Sequence, residues 1–241
     1  MSDLLPRACR ITRKTTENRT TVSFALDTEL PCVPGQFAML WLPGMDEKPF
    51  SIAWDSPLTF AISRVGPFSD ALQGLPEGAS VWVRGPFGKG FSLAPARTLL
   101  VGGGYGAAPL SFLAADLAER GAPVEVALGA RTEADLLYVK RFSAQRVPVH
   151  TATEDGTCGT RGRVTDAVAP LLAQGRFQRV CACGPEGMLD AVSALCAGAR
   201  VPAELSHEAY MRCGIGLCGS CEHGGRLVCM DGPVFPAGAA P

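Results

Sequence analysis

Four cysteines near the C-terminus, Cys213, Cys218, Cys221 and Cys229, crowd into seventeen residues of the segment MRCGIGLCGSCEHGGRLVCMDGPVF. Their spacing is C-x4-C-x2-C-x7-C, and a C-x4-C-x2-C run with a distant fourth cysteine is the plant-type [2Fe–2S] spacing. A loop wrapped round such a cluster must aim backbone N–H groups at sulfur, which requires unusual dihedrals. Gly214, Gly216 and Gly219 permit them. Cys229 is expected to return on a short hairpin with Gly224–Gly225 at its tip, and this return is shorter than that of plant-type ferredoxins. Structural zinc would favour two C-x2-C-like knuckles. A [4Fe–4S] centre usually shows C-x2-C-x2-C, and a Rieske-like site needs two histidines where only His223 is close. His223 reads as an exposed loop residue, and four unrelated buried thiols are the remaining alternative.

Other segments carry cofactor chemistry. Lys48-Pro49-Phe50-Ser51 opens an apolar strand. Ile62-Ser63-Arg64 leads through Val65-Gly66-Pro67 to Phe68-Ser69, pairing a basic residue with a turn and a hydroxyl. Arg84-Gly85-Pro86-Phe87-Gly88-Lys89-Gly90 is a third, turn-rich loop. Basic segments and glycine turns on one scaffold can hold a phosphate-bearing cofactor, although a lysine before proline is by itself usually a solvated loop charge. Gly102, Gly103, Gly104 and Gly106 follow a strand and open a helix, and Gly102-x-Gly104-x-x-Ala107 fits the dinucleotide fingerprint with alanine last. Glycines there let the backbone approach a pyrophosphate at a helix N-terminus; the ordinary alternative is a tight strand-to-helix turn. No clear acid follows about 20 residues on, and Arg131 is either a ribose or phosphate contact or a surface charge. Cys183-Gly184-Pro185 ends the last strand before a helix, where open parallel sheets bind ligands; a buried thiol is the alternative for Cys183.

The elements that must position these residues fall into three segments. Residues 1–95 read as short strands: β-branched alternation in ACRITRKTTENRTTVSFAL, then Gln36–Leu42, Phe50–Ala53, Thr59–Val65 and Ser80–Arg84, which together suggest a small antiparallel β-barrel. Residues 96–200 alternate strands (Arg97–Val101, Val124–Leu128, 147–151, Arg179–Ala182) with helices (SFLAADLAERG, Ala134–Arg141, 164–172, Glu186–Ala197). That alternation argues for an α/β parallel-sheet domain, joined to the barrel by a linker near Leu93–Arg97. Residues 201–241 are Gly- and Cys-rich without periodicity, a small irregular segment for which a metal centre would supply folding energy.

Composition excludes several classes. With 47% hydrophobic and 19% charged residues the chain can fill a core. A net charge of −1 gives no electrostatic case for nucleic acid. No apolar run has the length of a signal peptide or a membrane span, so a cytoplasmic location is expected. In that reducing compartment ten cysteines are not expected to form disulfides. No Ser/His/Asp set or other acid–base constellation is readable.

The order of a basic-x-aromatic-Ser motif, a glycine-rich loop and then CGPEGM resembles the ferredoxin-reductase-like flavoproteins. The tail, CGIGLCGSC followed by VCMDGPVF, is similar to that of the electron-transfer subunits of B-type dihydroorotate dehydrogenases. The resemblance spans essentially the whole chain. It implies FAD on the barrel, with Lys48–Ser51 along the flavin and Ser51 near its ring. Ile62–Arg64 and Phe68–Ser69 would take the ribose and pyrophosphate portions, and Gly102–Ala108 and Cys183–Met188 a nicotinamide nucleotide, NAD. It further implies a partner subunit holding FMN, where dihydroorotate becomes orotate in pyrimidine biosynthesis, in a heterotetramer. Electrons would pass from that FMN through the cluster and FAD to NAD, and the cluster tail would face the partner with an exposed apolar patch. Three departures stand out. Lys48 replaces the arginine of many relatives, leaving a point charge in place of a bidentate contact; VGPFS lacks their Gly-Thr ending; and the return to Cys229 is shorter than in some. Related flavin subunits, of a sulfide dehydrogenase or a ferredoxin:NADP reductase, share this architecture, as does a stand-alone diaphorase; a zinc-stabilised binding module is the non-enzymatic alternative.

Overall fold

A computed structural model describes residues 4–238. Six strands close an antiparallel barrel: β1 (Arg7–Thr16), β2 (Thr21–Leu26), β3 (Phe37–Leu42), β4 (Asp46–Asp55), β5 (Leu58–Ser63) and β6 (Ser80–Phe87), in the order β1-β2-β5-β4-β3-β6. The alternation in β6, SVWVRGPF, places Val81 and Val83 inward and leaves Trp82 and Arg84 on the outer face, while Phe87 joins the apolar cluster formed with the C-terminal tail. Ile11, Phe24, Leu40, Ile52, Phe60 and Ile62 complete the barrel core. The expected turn at Val65–Ser69 opens a helix, α1 (Pro67–Gly74). Pro67 supplies the preset φ of a first helical residue. The Ser69 hydroxyl accepts from the N–H groups of Val65 and Gly66 at 2.9 and 3.0 Å, satisfying donors that the helix leaves free.

The second unit is a seven-stranded sheet flanked by helices. It comprises β7 (Thr98–Gly103), α2 (Ala107–Glu119), β8 (Val124–Ala130), α3 (Val139–Ala144), β9 (Val149–Thr153), β10 (Thr160–Arg161), α4 (Val164–Ala173), β11 (Arg179–Cys183), α5 (Glu186–Ala199) and β12 (Ala203–Ser206). Strand order is β10-β9-β8-β7-β11-β12, all parallel, with a last antiparallel strand, β15 (Val234–Pro236), at the edge beside β12. The central strands β7 and β11 are buried at every position, as a sheet covered on both faces requires. The chain runs outward from β7 and then returns to β11 on its other side, so a topological switch point lies between them.

Two local expectations change. In place of a helix over Ala134–Arg141 there is a single 3-10 turn at Glu133–Asp135, and α3 begins at Val139. Tertiary bonds override the helical pattern. Asp135 is held by Arg19 at 2.6 Å, and the Tyr138 hydroxyl shares a 2.7 Å hydrogen bond with Ser23 of the barrel. The segment after Val201, aperiodic in sequence, supplies two strands to the sheet. One is β12; the other, β15 (Val234–Pro236), pairs antiparallel with it. Between them stand a hairpin, β13 (Glu222–His223) and β14 (Arg226–Leu227), and one helical turn, α6 (Val228–Asp231).

The tail is packed onto the barrel as well as the sheet. Phe37, Met39 and Phe87 of the barrel form one apolar cluster with Met211, Cys221, Val228, Cys229 and Phe235. Phe235 is 1% exposed. Replacing it by alanine should cost about 3–5 kcal/mol in a urea-denaturation measurement, whereas unchanged stability would mean that the tail does not depend on this core.

Candidate functional site

A cavity of about 730 Å³ opens between the barrel and the parallel sheet, within the size range of cofactor and ligand sites. From the barrel it is lined by Lys48, Pro49, Phe50 and Ser51 of β4, by Ser63, and by Gly66–Ser69 at the start of α1. The rings of Phe50 and Phe68 stack with centroids 6.0 Å apart. The opposite wall comes from Gly106 at the end of the glycine loop, Cys183 at the end of β11, and Ser206–Met211. Flavin-type and nucleotide-type segments, far apart in sequence, thus face one space at the switch point.

The remaining expected residues sit differently. The Ile62 side chain is fully buried in the barrel core. Arg64 lies over α1, paired with Asp70 at 3.1 Å, outside the cavity lining. Gly102, Gly103, Gly104, Gly184 and Pro185 are not among the lining residues; a Cβ on Gly103 would meet Met188 and Pro185, and one on Gly184 would meet Met188. Lys48 borders the cavity, its ammonium 2.7 Å from Asp46 and 5.4 Å from the centroid of the Tyr210 ring.

Tyr105, His207, Glu208 and Tyr210 line the cavity and are not among the expected site residues. Tyr105 donates its hydroxyl to Glu208 at 3.0 Å across the cavity mouth. Burial raises the Glu208 carboxyl above the usual carboxylate range, and burial raises the Tyr105 phenol. His207 and Tyr210 flank Glu208 in the wall. Only Tyr105 had a local signal, as the one large side chain within the glycine loop. Cys183 is both buried and cavity-lining; burial pushes its thiol up to about 12, so it stays neutral.

The four clustered cysteines occupy the loop from 213 onward and α6. Gly214, Gly216 and Gly219 all take left-handed φ, between 70° and 76°, which turns successive N–H groups inward. Ile215 and Cys218 donate their N–H groups to Cys213 Sγ at 3.5 and 3.4 Å, and Cys229 donates its own to Cys221 Sγ at 3.5 Å. These bonds tie the cysteines into two pairs, Cys213 with Cys218 and Cys221 with Cys229. Cys218 is exposed, and hydrogen bonds from Ser220 and Cys213 lower its thiol to about 6. Among the described residues no three His, Cys, Asp or Glu side chains converge on a single-ion site. Two thiolate pairs fit two irons, each needing two protein sulfurs, better than one tetrahedral zinc needing four. His223 is exposed on the hairpin, and Gly224–Gly225 form its tip.

Residues 208–239 match the iron–sulfur cluster binding domain of dihydroorotate dehydrogenase B, and residues 100–194 an oxidoreductase NAD-binding domain. The probable dihydroorotate dehydrogenase B (NAD(+)) electron transfer subunit of Methanocaldococcus jannaschii is 40% identical over 233 residues, covering 95% of this chain and 89% of that protein. That of Pyrococcus abyssi is 43% identical over 217 residues, covering 88% and 83%.

The chain belongs to the family of dihydroorotate dehydrogenase B electron transfer subunits.

Its fold extends to more distant oxidoreductases. A structure of an NADH-dependent reduced ferredoxin-NADP oxidoreductase, described for flavin-based electron bifurcation, superposes with a TM-score of 0.88 at 28% identity, covering 97% of this chain and 89% of that one. The ferredoxin reductase of carbazole 1,9a-dioxygenase shares the fold at 23% identity and a TM-score of 0.71, covering 82% and 66%. As a member of the electron transfer subunit family the chain is an NAD-linked oxidoreductase subunit, with an iron–sulfur segment at its C-terminal end.

The crevice at the switch point depends on one backbone approach. A Cβ on Gly106 would overlap the Cys183 carbonyl, so Gly106→Ala must part the two loops at the switch point. NADH affinity measured by calorimetry should then fall by at least about tenfold, or ~1.4 kcal/mol. Unchanged affinity would place the nucleotide elsewhere.

Proposed function

We propose that this chain relays electrons between NAD and a partner subunit that holds FMN and oxidises dihydroorotate to orotate, using FAD in the cavity and a [2Fe–2S] cluster on Cys213, Cys218, Cys221 and Cys229. The observation that carries this reading is the common packing of Cys221 and Cys229 with Phe37, Met39 and Phe87 on the wall of the flavin-type barrel. Bound flavin would supply the exchange between two-electron hydride chemistry and one-electron transfer. The residues then have separable tasks. Lys48 offers a point charge to a phosphate-bearing cofactor, and Phe50 and Phe68 give an apolar wall. The start of α1 turns the positive end of its dipole to the same cavity. Ser51, Ser63 and Ser69 line the same cavity; Ser51 would meet the flavin, and Ser63 and Ser69, with the backbone of Ile62–Arg64, its ribose and pyrophosphate portion. Gly102–Gly106 and Cys183–Pro185 admit the nicotinamide nucleotide, with Cys183 neutral and small. No acid–base residue is required to move a substrate proton here; dihydroorotate chemistry belongs to the partner.

The partner would dock on the cluster side, in a heterotetramer. Leu217 is 81% exposed in the loop between the first two cysteines, and Met230 is exposed beside it. The two border Gly216, at which a Cβ would stand 2.9 Å from Met230 Cγ. Tyr210 and Met45 are further exposed apolar side chains near Lys48 and the cavity. An apolar patch of this kind marks a contact surface. The setting proposed is cytoplasmic, a compartment in which thiols stay reduced; no helix among the described residues is long and apolar enough to cross a membrane.

Anaerobic co-purification with the partner followed by a dihydroorotate:NAD⁺ assay tests the reading. Activity that needs both subunits is expected, and a partner with another substrate would overturn it. Cys221→Ser should abolish the cluster's visible absorbance while FAD stays bound; retained cluster signal would refute the ligand assignment. Leu217→Asp should weaken subunit association by about tenfold or more, ~1.4 kcal/mol, in sedimentation or interferometry, with the cluster spectrum unchanged. Undiminished association would move the interface off this loop.

A further inference from the structure

Arg84 stands on the outer face of β6 with only 9% of its side chain exposed. Its Nε and Nη2 donate to the two carboxylate oxygens of Glu47 at 2.6 and 2.7 Å. Nη2 also donates to the backbone carbonyl of Cys213 at 2.6 Å. The guanidinium lies 5.3 Å from the centroid of the Phe87 ring, which belongs to the apolar cluster around Cys221 and Cys229. Glu47 directly precedes Lys48 on β4. One half-buried ion pair therefore joins the strand that borders the cofactor cavity to the first cysteine of the metal loop.

A buried guanidinium with this many partners fixes geometry, because a planar fork bonded on two sides has little freedom left. It also brings charge. A cluster gains one negative charge on reduction, so a cation at its ligand loop favours the reduced form and an anion favours the oxidised form. Arg84 touches the loop and Glu47 stands behind it, so the cation is the nearer charge. We propose that Arg84 is a positioning residue for the cluster, holding the Cys213 turn, and that the Arg84–Glu47 pair sets the cluster's reduction potential. The inference rests on the assignment of the cluster to Cys213, Cys218, Cys221 and Cys229. A pair that merely ties tail to barrel predicts something different, since cutting it from either side would loosen the same loop and disturb the cluster in the same sense.

The test is an anaerobic redox titration of the cofactor-loaded full chain, followed by the electron paramagnetic resonance of the reduced cluster. Arg84→Gln leaves the Glu47 carboxylate unpaired, and the midpoint potential should fall. Glu47→Gln leaves the guanidinium uncompensated on Cys213, and the potential should rise. The double variant should lie between the two, and Arg84→Lys, which keeps the charge, should lie closer to wild type than Arg84→Gln. Shifts of the same sign in both single variants, or no shift in either, overturn the proposal while leaving the ligand assignment intact. If Arg84→Gln fails to load a cluster, Glu47→Gln decides alone, and a potential that falls or stays put overturns it. Absence of any cluster signal in the wild-type chain would sink the ligand assignment and this inference with it.

Discussion

Cys221 and Cys229 share an apolar cluster with Phe37, Met39 and Phe87, and the arrangement of the molecule follows from that contact. A metal loop relays single electrons only if it is held at a fixed place beside the cofactor with which it exchanges them. A segment of some thirty residues rich in glycine has too little apolar surface to hold itself. Here the loop borrows three side chains from the barrel and an edge from the parallel sheet. β12 and β15 extend that sheet, Phe235 fills the junction, and Arg84 reaches from β6 to the Cys213 carbonyl. The metal loop is thereby fastened to both units whose cofactors it would serve.

The same constraint explains the placement of the cavity. In an open parallel sheet, ligand crevices form where the chain reverses direction, and β7 and β11 make that point. The loops after these strands approach closely because Gly106 has no side chain to keep Cys183 away. The barrel covers the crevice, and its strand β4 carries Lys48–Ser51 onto the facing wall. In the proposed reading one wall would meet a flavin and the other a nicotinamide, with the cysteine loop at the adjoining edge through Ser206–Met211.

Much of this was legible in the amino-acid sequence, for reasons that differ by element. The cysteine spacing and its glycines are local, since ligand geometry and φ are set within a few residues. The barrel strands showed through β alternation, and β7 and β11 through short unbroken apolar runs. What escaped was long-range. The helix expected over Ala134–Arg141 gives way to a turn because Tyr138 bonds Ser23, 115 residues away. β12 and β15 are four and three residues long, too short for a periodic signal, and exist only as partners of each other and of β11. Tyr105 with Glu208, and Arg84 with Cys213, join positions 103 and 129 residues apart, so no window contains both members. Of the expected cofactor contacts, the side chain of Ile62 turned into the barrel core and that of Arg64 onto Asp70, because strand parity and a neighbouring helix decided their directions.

The central claim is that the cysteine loop exchanges electrons with the cavity beside it and not directly with the nucleotide. Rapid-freeze electron paramagnetic resonance after anaerobic mixing with NADH tests this most directly. The account predicts that flavin absorbance bleaches first, that the reduced [2Fe–2S] signal follows, and that protein stripped of flavin but retaining its cluster shows no such signal. A cluster signal that develops equally fast in the flavin-free protein would contradict it.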